Sequence, residues 1–227
     1  MSNETLTLGS LFDGSGGFPL GGILAGIEPV WSAEIEPFPV LVTHKRLPQV
    51  KHYGDVSELN GADLEPVDIL SWGSPCQDLS IAGKRAGLKG NRSGLYVQAV
   101  RIAKEMHEAT GGEYPKFCVF ENVPGLLSSN KGADFLACLD MMQDIGFIPD
   151  INMLDAQYMG VPQRRKRVYI TWVNADYILK KRTNISDSIM LQTLTEILLL
   201  NLGELLRVSG AGLKRSAVQD QNRFADT

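Results

Sequence analysis

The sequence has few of the features that mark secreted, metal-binding or membrane proteins. Its 227 residues include only three cysteines and three histidines. The number of cysteines is odd and no pair has Cys-x-x-Cys spacing, which argues against a disulfide framework and against a structural zinc site. The longest apolar run, at 197–200, is far shorter than the roughly 20 residues that cross a bilayer. Because the amino terminus is also polar, we expect a cytoplasmic protein that needs neither metal nor membrane.

The chain also lacks a large excess of either charge. Its 22 lysines and arginines against 26 aspartates and glutamates give a formal net charge of −4. This balance argues against a uniformly basic protein, although nucleic-acid binding needs only a local basic surface. The apolar fraction of 44% and the charged fraction of 21% are ordinary for a globular chain of one sizeable domain.

Strand-like and helix-like segments alternate between residues 5 and 173. The segment VDILSWG at 67–73 is continuously apolar, as expected for a strand buried on both faces. Other strands are predicted at 5–12, 29–35, just before 54–56, at 116–123 and at 167–173, with helices at 16–27, 37–47, 93–110 and 134–146. This alternation predicts an α/β fold with a doubly wound, mostly parallel, Rossmann-like sheet.

The character of the chain changes after about residue 174. Residues 175–188 are polar and predicted to form a loop. The leucines of 190–206 have helical spacing, and the remaining residues are polar enough to form a loose tail. We therefore divide the chain into a main domain at 1–175 and an extension at 176–227.

Polar features follow the first three predicted strands. Gly14, Gly16 and Gly17 lie in the turn before the first helix, where glycine accepts a positive φ and lets a ligand approach the backbone. Glu34 follows the second strand, where an acid can bind ribose hydroxyls, and Asp55 follows the third. Ligands of doubly wound folds lie beyond the carboxyl ends of the strands, so this arrangement predicts a nucleotide-like cofactor. A plain tight turn with solvated carboxylates is the alternative.

A thiol, an acid and two arginines follow the later strands. Cys76 comes just after the fourth strand and Glu121 lies at the end of the fifth, whereas Arg165 and Arg167 lead into the last. A nucleophile, a carboxyl group that carries a proton and a guanidinium group could converge on one substrate. An inert buried cysteine, a capping carboxylate and a solvated basic run are the ordinary alternatives.

Residues 78–94 form a basic, glycine-rich segment with few large apolar side chains. Its basic residues are Lys84, Arg85, Lys89 and Arg92. The segment is either a solvated loop or a mobile loop that closes over a polyanion.

The order of LFDGSGG, Glu34, GDV, GSPCQ, ENV and QRRKR resembles the DNA (cytosine-5) methyltransferases over about residues 5–175. The resemblance implies S-adenosylmethionine as the cofactor, lying over the glycine turn with Glu34 on the ribose and Asp55 near the adenine. The full set of implied cofactor-binding residues is Phe12, Asp13, Gly14, Gly16, Gly17, Glu34, Ile35, Asp55, Val56 and Pro75.

The same resemblance implies the chemistry. Cys76 would add to C6 of a cytosine flipped out of DNA, while Glu121 and Arg167 hold the edge of the base with support from Arg165. The implied DNA-binding residues are Gln77, Lys84, Arg85, Lys89, Arg92 and Gln163. A protein with this activity would associate with the nucleoid when it acts on DNA.

The sequence departs from the family pattern after Val173. Members normally continue into a target-recognition region, a further arginine motif and a late Gly-Asn motif, which we do not find here. The chain is then one subunit of a split enzyme whose second polypeptide supplies these parts, a truncated relic, or a minimal enzyme with weak specificity; we favour a split or truncated form. Missing sheet elements would leave an apolar edge that favours association.

Two other functions fit part of the pattern. A nicotinamide-dependent oxidoreductase would explain the glycine turn and Glu34, but not Cys76, Glu121 and the arginines together. A non-catalytic nucleotide- or DNA-binding module would keep the fold without turnover.

Overall fold

The computed structural model describes residues 5–73 and 94–181, and in these ranges the chain forms one sheet of seven strands with helices on both faces. The strands are β1 (Thr7–Leu11), β2 (Glu28–Ala33), β3 (Lys51–Tyr53), β4 (Ile69–Gly73), β5 (Phe117–Asn122), β6 (Phe147–Asp155) and β7 (Lys166–Asn174). The helices are α1 (Gly17–Leu24), α2 (Pro37–Arg46), α3 (Leu95–Ala109), α4 (Ala133–Gln143) and α5 (Ala175–Lys181).

The sheet is mostly parallel, with the strand order β3-β2-β1-β4-β5-β7-β6. Strands β1 to β5 pair in parallel, whereas β7 is antiparallel to both β5 and β6. The doubly wound, Rossmann-like prediction is therefore confirmed. The strand order reverses between β1 and β4, which is the point where such sheets open a crevice for a ligand.

Two hydrophobic clusters pack against the sheet. The larger one lies under α3 and α4 and contains the fully buried rings of Trp31, Trp72 and Trp172. The smaller one lies on the other face, where Phe18 of α1 and Tyr177 of α5 pack against it. Burying one large apolar side chain stabilises a fold by about 1.5–3 kcal/mol, so these clusters hold the strand ends in fixed positions.

Residues 175–181 form helix α5, so the prediction of a loop at 175–188 is wrong for this part. The Asn174 side chain accepts hydrogen bonds from the backbone of Asp176 (2.9 Å) and Tyr177 (3.4 Å), which begins the helix. The Tyr177 ring then packs edge-on against Phe117 with centroids 5.4 Å apart. Tertiary packing therefore decides the structure of a segment whose composition is polar.

Strand β6 was not predicted from the sequence. The polar residues of β6 and Pro149 obscure the alternation of apolar and polar residues that would indicate a strand. In the described structure β6 pairs only with β7 and lies at the edge of the sheet. Ile148, Ile151 and Met153 are exposed along it. The predicted association through an apolar edge stays a prediction.

Within residues 5–73 and 94–181, no helix has both the length and the apolar character that a bilayer span requires. The same ranges contain no group of three histidine, cysteine or acidic side chains placed to hold a metal ion. The predicted helix at 190–206 lies outside the described residues.

Candidate active site

The carboxyl ends of the parallel strands bring the predicted site residues to one edge of the sheet. Strands β1, β2 and β3 end at Leu11, Ala33 and Tyr53, immediately before the glycine turn, Glu34 and the turn with Asp55. Strand β5 carries Glu121 at the same edge. Because β7 runs in the opposite direction, it brings its beginning, with Arg167, to this edge as well.

The glycine turn after β1 has an unusual backbone. Gly14 and Gly16 have φ of +55° and +85°, and Phe12 also has φ of +55°. A residue with a side chain in this region is uncommon, at a cost of about 1–3 kcal/mol. A side chain at Gly16 would lie 2.8 Å from Thr43 Cγ2, whereas Gly14 and Gly17 face space with no heavy atom within 4 Å. The turn is therefore packed on the side of α2 and open at Gly14 and Gly17.

Glu34 fastens the glycine turn to the end of β2. Its Oε2 accepts a hydrogen bond from the backbone N–H of Gly14 at 2.7 Å. Its Oε1 accepts from Ile35 at 2.8 Å and from Glu36 at 2.9 Å. A carboxylate has about four acceptor positions, so Glu34 keeps capacity for a ligand.

Asp13 is a buried acid beside this turn. Ser10 donates a hydrogen bond to its Oδ1 at 2.7 Å, while its Oδ2 is buried without a hydrogen-bond partner among the described residues. Burial raises the pKa of Asp13 from 3.8 to about 6; the Ser10 hydrogen bond opposes this shift and the charge of Glu34 adds to it. The sequence placed Asp13 near the cofactor but gave no sign of this perturbation.

The other predicted cofactor residues differ in what their side chains offer. Asp55 begins a short 3-10 turn (Val56–Glu58) and accepts a hydrogen bond from Ser57 N at 2.8 Å. The Ile35 side chain is 62% exposed at the site edge. Val56 follows Asp55 in this turn and its side chain is buried in the larger core cluster, so its predicted contact with a cofactor stays a prediction.

Glu121 and Arg167 meet in an ion pair. Arg167 Nε lies 2.7 Å from Glu121 Oε1, and both side chains are largely shielded from solvent. Arg167 Nη1 also donates to the backbone oxygen of Lys166 at 2.8 Å. The predicted acid and one of its arginines are therefore in direct contact.

Arg165 and Gln163 lie in the connection that leads into β7. The backbone N–H of Arg165 donates to Asp155 Oδ1 at 3.0 Å, which ties this connection to the end of β6. The side chains of Arg165 and Gln163 are exposed. Both residues therefore lie within four residues of Arg167 in the sequence, and their side chains face solvent.

Tyr169 is a site residue that the sequence reasoning missed. It is the direct cross-strand partner of Glu121 in the antiparallel pairing of β5 with β7. Burial raises the pKa of Tyr169, the charge of Glu121 raises it further, and the charges of Arg167 and Arg165 lower it. A tyrosine two residues after Arg167 could have been noticed, since alternate residues of a strand share a face.

The predicted thiol and the basic loop lie outside the described residues. The residues concerned are Pro75, Cys76, Gln77, Lys84, Arg85, Lys89 and Arg92. The other two cysteines, Cys118 and Cys138, are buried free thiols. Burial raises the pKa of Cys118 well above its ordinary value and that of Cys138 to about 12. Neither has the thiolate character of a nucleophile.

Sequence comparison relates the chain to DNA methylases. The family model of the C-5 cytosine-specific DNA methylases matches residues 6–223. The orphan methyltransferase M.SPRI of Bacillus phage SPR is 35% identical over 173 residues, 74% of this chain and 38% of that protein. The DNA N-6-adenine-methyltransferase of Escherichia phage P1 is 35% identical over 191 residues, 64% of this chain and 25% of that protein. The type II methyltransferase M.NgoFVII of Neisseria gonorrhoeae is 34% identical over 169 residues, 74% of this chain and 43% of that protein.

Structure comparison supports the fold. The S. pombe Dnmt2 methyltransferase superposes with a TM-score of 0.58 and 21% identity, covering 75% of this chain and 51% of that one. The chain spans between 25% and 43% of the length of the curated relatives named above.

Proposed function

Because the chain belongs to the C-5 cytosine-specific DNA methylase family, we propose that it transfers a methyl group to C5 of cytosine in DNA. The observation that carries this proposal is the 2.7 Å ion pair of Glu121 with Arg167. It lies at the sheet edge that also holds the contact of Glu34 with Gly14. Family membership decides against the nicotinamide-dependent oxidoreductase, which would leave the Glu121–Arg167 pair unexplained.

The glycine turn fits S-adenosylmethionine, which supplies an electrophilic methyl group when bound. The open space at Gly14 and Gly17 lets a ligand approach the backbone. Glu34 would accept a hydrogen bond from a ribose hydroxyl with its remaining lone pair. Phe12, the exposed side chain of Ile35 and the turn at Asp55 would surround the rest of the ligand.

The proposed reaction uses Cys76 as a covalent nucleophile. Its thiolate adds to C6 of cytosine, which breaks the aromaticity of the ring and makes C5 nucleophilic. C5 would then take the methyl group as its bond to the sulfonium sulfur of the cofactor breaks, which leaves that sulfur as a neutral thioether. C5 would lose its proton to a base and the thiolate would leave from C6, which restores the ring and regenerates the cysteine.

Glu121 and Arg167 would bind the Watson–Crick edge of the base. The ion pair uses Glu121 Oε1 and Arg167 Nε, which leaves Glu121 Oε2 and Arg167 Nη2 for the substrate. Glu121 would share a proton with N3 as the thiolate adds, and Arg167 would donate to O2, so that charge developing on the ring is stabilised. A base within a duplex is out of reach, so the cytosine is flipped out at a cost of a few kcal/mol.

The proposal extends to the partners. The basic residues of the loop at 78–94 would contact DNA phosphates. A second polypeptide would supply the target-recognition region that the resemblance leads us to expect. A purified chain that binds DNA only when such a polypeptide is added would support a split enzyme, whereas sequence-specific methylation by the chain alone would contradict it.

Trapping on modified DNA tests the reaction. DNA that contains 5-fluorocytosine blocks the loss of the C5 substituent, so with S-adenosylmethionine the covalent adduct should accumulate and be seen as a shifted band on a denaturing gel. Cys76→Ser should abolish the adduct, while Cys138→Ala, a change at a buried free thiol, should retain it. An adduct that survives Cys76→Ser contradicts the mechanism.

A second measurement separates the competing functions. Methyl-labelled cofactor and unmodified DNA should give label on C5 of cytosine. Label on N6 of adenine would contradict the proposed base. A chain that binds the cofactor but gives neither label nor adduct with DNA is either the non-catalytic binding module or one subunit of a split enzyme. Addition of the second polypeptide distinguishes the two, because only the split enzyme then forms the adduct.

A further inference from the structure

Gly73 lies directly beside the acid of the proposed site. It is the last residue of β4, and its partner in the parallel pairing with β5 is Glu121. A Cβ atom at Gly73 would lie 3.2 Å from Glu121 Oε2 and 3.9 Å from Cε2 of Phe18. The carboxylate of Glu121 therefore reaches the space that any other residue at position 73 would fill with its side chain.

The requirement at Gly73 is for space and not for an unusual backbone. Gly73 is absent from the residues with positive φ within the described ranges. An L-amino acid could therefore adopt its backbone conformation without strain. This separates Gly73 from Gly14 and Gly16, whose positive φ would strain any substitution.

The Glu121 carboxylate has little freedom to move away from a new side chain. Its other oxygen is held by Arg167 Nε at 2.7 Å. Tyr169 faces it from β7 as the direct cross-strand partner, at a separation of about 5 Å between Cβ atoms in such pairs. A contact of 3.2 Å is tight, so a methyl group at position 73 would push the Glu121 carboxylate aside by a few tenths of an ångström, whereas the Phe18 ring at 3.9 Å would stay in ordinary contact.

We propose that Gly73 is a positioning residue for Glu121, because the absence of a side chain at the end of β4 leaves the carboxylate at the place from which it reaches Arg167. Gly73 also precedes Cys76 by three residues in the sequence. This inference rests on the proposed function in one respect, which is that the proposed function makes Glu121 the acid that contacts the cytosine.

A double-mutant cycle read by thermal unfolding tests the inference without any need for turnover. Gly73→Ala should lower the Tm of the full chain by about 2–6 °C, the range expected for an overpacked methyl group in a domain of this size. In a Glu121→Ala background, where the carboxylate is gone, the same change should lower the Tm by less than about 1 °C. The matched control is Gly21→Ala, because a Cβ at Gly21 meets no heavy atom within 4 Å.

The results of this thermal cycle can be distinguished from a failure of the proposed function. If Gly73→Ala does not fold alone, recovery of folding in the double variant is the supporting result. An equal loss of Tm in both backgrounds, or no loss in either, overturns the inference. Gly73→Ala should also lower methyl transfer by about tenfold or more with unchanged affinity for S-adenosylmethionine. If the unaltered chain transfers no methyl group even with the second polypeptide present, the proposed function fails while the thermal cycle still decides the role of Gly73.

Discussion

The buried acid Asp13 gives a quantitative prediction for stability. Asp13 is 7% exposed as a residue, and burial raises its pKa from 3.8 to about 6. The folded state therefore favours the protonated form, and the unfolded state binds fewer protons between these two values. The stabilising contribution is complete below pH 3.8 and is lost as the pH rises through about 6. A rise of roughly two pKa units corresponds to about 3 kcal/mol.

Asp13→Asn should remove the loss of stability that the charged Asp13 causes at higher pH. The asparagine side chain keeps an oxygen that can accept the hydrogen bond from Ser10, which is 2.7 Å long in the structure, but carries no charge. We expect the variant and the unaltered protein to have similar free energies of unfolding near pH 4. Above pH 6.5 the variant should be more stable by up to about 3 kcal/mol, which raises Tm by about 6–12 °C.

Urea titrations of the ligand-free protein at several values between pH 4 and pH 8 measure this difference. Asp144→Asn is the control, because Asp144 is an exposed aspartate at the end of α4, and it should show no comparable dependence on pH. A difference between Asp13→Asn and the unaltered protein that is constant over this range would refute the assignment of the shift to Asp13. An Asn variant that is less stable at pH 8 would show that the charged carboxylate has a favourable partner.

Two further pairs of variants test the glycine turn and the acid that fastens it. Gly16→Ala should cost about 2–4 kcal/mol in urea unfolding, since it combines the strain of φ +85° with a contact 2.8 Å from Thr43. Gly14→Ala should cost only about 1–2 kcal/mol, because its φ is +55° but its surroundings are open; equal costs would contradict the role of packing. Glu34→Ala should weaken S-adenosylmethionine binding about 10- to 100-fold in calorimetry, as expected for lost hydrogen bonds to a charged group. Glu36→Ala, at an exposed neighbour, should leave the affinity unchanged, and an unchanged affinity in Glu34→Ala would exclude the ribose contact.

The order of the motifs predicted most of the strands that carry the site. Residues that follow the ends of parallel strands share one sheet edge whatever the packing, so Gly14 and Glu34 could be placed together from the sequence. The contact between Glu34 and the backbone of Gly14 is an example. The position of such residues can be predicted from the sequence because it depends only on the direction of the strands.

The remaining features depend on pairings between distant parts of the chain. The position of β7 between β5 and β6 decides that Tyr169 faces Glu121, and no local pattern specifies that position. The same pairing gives β6 its only neighbour in the described structure, which explains why a strand interrupted by Pro149 escaped prediction.

The reversed direction of β7 decides where the fold can accept additional chain. The connection between β6 and β7, at 156–165, lies at the same edge as Glu121 and Arg167, because β6 ends and β7 begins there. A polypeptide inserted into this connection would emerge next to the reactive groups. The other end of β7 offers no such place, because α5 begins at Ala175 directly after the buried Asn174, whose side chain starts that helix. Engineered fusions intended to alter which base is presented therefore belong in the connection between β6 and β7.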